Sequence, residues 1–100
     1  MTIRLAKTSD AADLTRLWNS QEQEKIAEDS AAGFIADKMR KIVVEVQGQT
    51  VRGFFIWMAE TLAIWRVGAG TSLKVADRKA IFAALLRAAF EIEFGPTVKP

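Results

Sequence analysis

Cysteine, histidine and tyrosine are all absent from this 100-residue chain. Without cysteine there are no disulfides and no thiolate metal sites. The three absences together remove the usual nucleophile, the usual general base and the phenolic acid. Acid–base chemistry would fall to Asp, Glu, Lys or water, and that weighs against catalysis. No run of eighteen apolar residues occurs, and the opening MTIRLAKTSD has no signal-peptide core. The expectation is a cytoplasmic protein without membrane contact.

Half of the residues are apolar and a quarter charged, the balance of a folded globular chain. One hundred residues make one domain, 1–100, with a modest core. The net charge of +2 is spread along the chain. Lys38, Arg40 and Lys41 form its one dense basic cluster, which reads as a solvated helix C-terminus and not as a nucleic-acid surface.

Thr2 to Leu5 favours a strand. Ser9 or Asp10 is placed to cap a helix whose core face carries Ala11, Leu14, Leu17 and Trp18. Ser30 opens a second amphipathic helix through Lys41, with Phe34, Ile35 and Met39 inward. Ile42 to Val46 alternates as a strand, and Gly48-Gln49 reads as a hairpin turn. Val51 to Ala59 (VRGFFIWMA) is apolar at nearly every position, the mark of a central strand covered on both faces. A strand within Leu62 to Val67, a turn at Gly68-Ala69-Gly70 and a short return over Thr71 to Val75 follow. Asp77 caps a last helix that runs to about Glu93, before Gly95-Pro96. The main order is β-α-α-β-β-β-α, an α+β domain with a central, mostly antiparallel sheet flanked by helices. The tryptophans read as core, with Trp65, near a strand end beside Arg66, the candidate for exposure.

Three stretches carry a resemblance. IRLAKTSDAADLTRLW, the hairpin KIVVEVQGQTVRGFFIW and VADRKAIFAALLRAAF stand in the order and spacing of the GCN5-related N-acetyltransferase (GNAT) family. The resemblance implies a partial GNAT-like fold, lacking the usual C-terminal half. In that family a (Gln/Arg)-x-x-Gly-x-(Gly/Ala) loop ahead of an Ala-Leu-Leu-like helical run wraps the acetyl-CoA pyrophosphate. Aligned on Ala84-Leu85-Leu86, the loop falls on Asp77 to Phe82, so Arg78, Lys79, Ala80, Ile81, Phe82 and Ala83 are the implied cofactor residues. Their glycines are missing: a backbone that must approach a phosphate closely has no room for Phe82. Arg66-Val67-Gly68-Ala69-Gly70-Thr71 is a second Gly-rich, basic candidate, read first as a turn. Glu45 and Glu60 are the carboxylates that such an enzyme would use to deprotonate an amine, with a polar strand position explaining them equally well. The acidic run Glu22, Glu24, Glu28 and Asp29 reads as a solvated face, and no metal site is expected.

The last helix is apolar around most of its circumference, more than one sheet face can cover. Phe82, Leu86 and Phe90 are the expected interface, together with an unfinished sheet edge. The reading favoured is an interaction or structural subunit without catalysis, binding a protein partner or itself. The resemblance extends to short phage proteins of this kind, which would place the chain in a host cytoplasm or a virion. The alternative is a minimal N-acetyltransferase that takes acetyl-CoA as cofactor and transfers directly to an amine.

Overall fold

A computed structural model describes residues 2–21, 24–59, 63–70 and 73–95, with the backbone alone at 63–65. Its elements are β1 (Thr2–Leu5), a 3-10 turn (Thr8–Asp10), α1 (Ala11–Gln21), α2 (Glu28–Ala36), β2 (Arg40–Gln47), β3 (Thr50–Met58), β4 (Ala63–Ala69) and α3 (Val75–Phe94). The four strands form one antiparallel sheet in the order β1-β2-β3-β4. Alternation along β2 and β3 divides the core. Ile42, Val44, Val51, Phe54 and Ile56 pack under α1 and α2 against Leu14, Leu17 and Trp18. Val43, Phe55 and Trp57 face the other way, onto Ile81, Leu85 and Ala89 of α3. Because both faces are covered, these strands read as continuous apolar runs.

Two irregularities bend this plan. Glu45 pairs with Gly53 while Val46 pairs with Val51, so Arg52 is an extra residue. Val51 and Phe54, three apart, therefore both serve the α1 side, and Arg52 joins Glu45 on the α3 side. A second bulge in β4 leaves Trp65 outside the register, between Ile56–Arg66 and Trp57–Ile64. Such bulges re-aim side chains and interrupt pairing.

Several boundaries differ from the sequence reading. The helix expected from Ser30 to Lys41 spans Glu28–Ala36 and starts from Ala27. Asp37 then accepts the Met39 N–H at 2.8 Å, and pairing with Met58 and Trp57 draws Arg40 and Lys41 into β2. The basic cluster thus opens a strand, and Met39 is exposed instead of inward. Asp10 does act at the start of the first helical segment: its carboxylate accepts the Lys7 N–H at 2.7 Å. Gly48 turns the β2–β3 hairpin at φ 63, as expected.

Candidate functional site

The largest correction lies between β4 and α3. Gly68 and Ala69, expected in a turn, extend β4, paired with Phe54 and Gly53. Of the return strand expected over Thr71 to Val75, Thr71 and Ser72 lie outside the described residues, and the described part is not a strand: Lys74 is the N-cap and Val75 the first helical residue. Asp77, expected as the cap, lies within the first turn. The connection is 70–74, ahead of the Asp77–Phe82 stretch that the motif alignment selects. There the Gln21 side chain lies against β4, its Nε2 donating to the Ala69 carbonyl at 2.8 Å. Gly68 allows this approach, since a Cβ there would stand 2.7 Å from Gln21 Oε1 and from Phe54 Cε1.

This placement tests whether the residues fit a pyrophosphate. A cradle needs free backbone N–H groups, which an α-helix offers only in its first turn. The helical ladder begins with Arg78 N–H donating to the Lys74 carbonyl at 2.9 Å. Lys79, Ala80, Ile81, Phe82 and Ala83 follow inside α3, so their amides are bound within the helix. Ile81 is fully buried against the sheet and Phe82 packs beside it. The six residues do not fit the group. One feature favours an anion: Arg78 Nε is enclosed without a hydrogen-bond partner among the described residues. Lys79 and Ala80 face solvent.

Charge at the start of α3 is already balanced by the protein. Glu45 is fully buried, with 0% of its side chain exposed, and Arg52 grips it with two bonds of 2.6 and 2.8 Å. The Glu45 carboxylate raises the pKa of Arg52 above its ordinary value through hydrogen bonding, against the opposing effect of burial, and Asp77 adds attraction from α3. Glu45 is thus a held counter-ion, with both oxygens engaged. Glu60, the other carboxylate considered, lies outside the described residues, as does the side chain of Trp65. Arg52 carries one signal in the sequence, Arg52-Gly53 breaking an apolar run, which marks a bulge.

Two concavities border these elements. One of about 210 Å³ sits where α1, the start of β3 and the β4–α3 connection meet, lined by Arg16, Leu17, Thr50, Arg52, Gly70 and Leu73. Its arginines are in use: Arg16 donates to the Val51 carbonyl at 3.0 Å, and Arg52 holds Glu45. A wider one of about 440 Å³ lies by the hairpin, among Thr2, Arg4, Ser9, Asp10, Asp13 and Gln49. Its carboxylates are also engaged, Asp10 by Arg4 at 2.7 Å and Asp13 by the Val51 N–H at 3.1 Å. Among the described residues, no three carboxylates gather as a metal site, and no helix is long and apolar enough to cross a membrane.

The expected interface residues divide. Phe82 is partly buried against the α3-side core. Leu86 and Phe90 are 43% and 50% exposed, and Phe94 is 56% exposed, its ring 4.8 Å from that of Phe90. Nearby β4, the last strand of the sheet among the described residues, carries Val67 at 37% exposure. Its cross-strand neighbour Phe55 is buried, so α3 shelters β3 more fully than β4. Trp18 and Trp57 are core, as expected. Trp57 Nε1 donates to Glu93 at 2.8 Å, which Lys41 also meets at 2.9 Å, fixing the far end of α3.

The sequence matches no protein-family model and no curated protein. Solved structures do match in fold. A ribosomal-protein-alanine N-acetyltransferase from Brucella melitensis biovar Abortus 2308 superposes with a TM-score of 0.66 at 17% identity, over 92% of this chain and 72% of that one. A possible acetyltransferase from Clostridium difficile 630 gives 0.69 at 18%, over 91% and 69%. An aminoglycoside acetyltransferase from an uncultured soil metagenomic sample gives 0.69 at 13%, over 92% and 68%. The chain has the α+β fold of GNAT acetyltransferases, and at these identities the likeness concerns the fold alone.

Proposed function

We propose that this chain is an interaction or structural subunit that uses the acetyltransferase fold as a scaffold without acetyl transfer. One observation carries the reading. Residues 77–82, which in the motif alignment form the phosphate loop, are wound into α3, whose Leu86 and Phe90 face solvent. A helix there cannot offer its amides to a pyrophosphate, but it can offer an apolar flank to a protein. The charge distribution supports the same view: Glu45 is committed to Arg52, and Asp77 places a negative charge in the first turn of α3, where an incoming phosphate would need a positive field.

Titration calorimetry and thermal unfolding with acetyl-CoA test this. Neither heat nor stabilisation is expected at millimolar cofactor. A ligand at a hundredfold its Kd stabilises by about 2.7 kcal/mol. A gain of that order, lost in Arg78→Ala, would overturn the reading in favour of a minimal N-acetyltransferase.

A further inference from the structure

We infer that the partner of the α3 flank is a second copy of the same chain, packed antiparallel, α3 on α3, about a two-fold axis level with residue 89. This rests on the interaction reading and names its partner. Leu86, Phe90 and Phe94 recur every fourth residue and so form one stripe, all three about half exposed. Along one side of that stripe run Arg87 and Glu91, 3.5 Å apart within the helix and both accessible. In an antiparallel helix pair, the same flank of each helix meets its own copy with the order reversed. A two-fold at residue 89 sets Arg87 opposite the partner's Glu91, and Glu91 opposite the partner's Arg87. The apolar stripe then closes on itself beside two complementary ion pairs, as an isologous contact requires.

Area is consistent with a reversible dimer. A phenylalanine offers roughly 200 Å², so the stripe supplies roughly 300 Å² of apolar surface per copy. A standard interface buries about 800 Å² per partner, a little over half of it apolar. The stripe with the stems of Arg87 and Glu91 is smaller than a standard interface, the size of a weak contact whose association is concentration-dependent. A net charge of only +2 per copy opposes it weakly.

Sedimentation equilibrium over a wide concentration range, on wild type, Arg87→Glu, Glu91→Arg and an equimolar mixture of the two variants, tests this. Wild type should pass from 11.1 kDa toward twice that mass. Each variant alone sets like charges across the two-fold and should weaken the dimer about tenfold. In the mixture one chain presents carboxylates at both positions and the other presents guanidiniums at both. Each cross-axis pair is then again of opposite charge, and the dimer should be restored. Both positions are exposed, so circular dichroism should be unchanged. A wild type that stays monomeric throughout, or a dimer indifferent to both reversals, overturns the inference. A monomer that binds no acetyl-CoA overturns this inference alone; acetyl-CoA binding overturns the reading beneath it.

Discussion

A methyl group on Gly53 would sit 2.7 Å from Ile81 Cγ2 and 3.1 Å from the Gly68 carbonyl oxygen. Neither neighbour yields easily, since Ile81 is β-branched in a helix and the carbonyl belongs to the sheet. Gly53→Ala should therefore lower stability by about 1–3 kcal/mol in urea unfolding. Beside it, Arg52→Ala would strand the Glu45 carboxylate in the interior. A quarter of the Arg52 side chain meets water, so the low end of the range for breaking a buried pair applies, about 3 kcal/mol. Replacing Glu45 and Arg52 together by leucine should recover most of that loss, and a double-mutant cycle measures the recovery. Asp10 gives a pH signature. The Arg4 guanidinium, bonded at 2.7 and 3.0 Å, holds the Asp10 pKa below its ordinary 3.8, with the Lys7 N–H assisting. A depressed folded-state pKa contributes stability above the unfolded value that is lost as pH falls through the folded one. Unfolding free energy should thus decline below about pH 4, and Asp10→Asn should flatten that decline.

At the scale of an element, α3 shows how one helix serves two surfaces. Leu85 is fully buried against the sheet and its neighbour Leu86 is 43% exposed. Leu85→Ala should cost about 2–5 kcal/mol, while Leu86→Glu should change monomer stability by no more than about 0.5 kcal/mol. Chemical denaturation at low protein concentration separates the two. Most elements were legible because their signals are local. Period-2 alternation marks β2, helical spacing marks α1, and Gly48-Gln49 marks the hairpin. The start of α3 was not legible, because Lys74 caps it without a side-chain hydrogen bond. Asp77 imitates a cap three residues too late. Gly68 and Ala69 imitate a turn, yet pairing with β3 draws them into a strand. The bulge at Trp65 has no local signature either, and Arg52-Gly53 only hints at the one in β3, since a bulge is a mismatch between two strands.

For the whole molecule, two half-cores share one sheet, and the Cα radius of gyration of 13.1 Å equals the roughly 13 Å of a compact 100-residue domain. Small-angle scattering at low concentration should return a monomer of that size, and a rise with concentration should track the mass found by sedimentation. The sequence alone determined the element order, the apolar run that demands cover on both faces of β3, and the excess apolar surface of the last helix. These are properties of nearest neighbours and short periods, legible without knowing what packs on what. The tertiary structure decided the rest. Sheet pairing set where β4 ends and hence where α3 begins, so the residues aligned with a phosphate loop lie inside a helix. It also turned Glu45 from a candidate base into the buried partner of Arg52. Both outcomes depend on residues distant in sequence meeting across strands, and periodicity along one chain carries no record of such meetings.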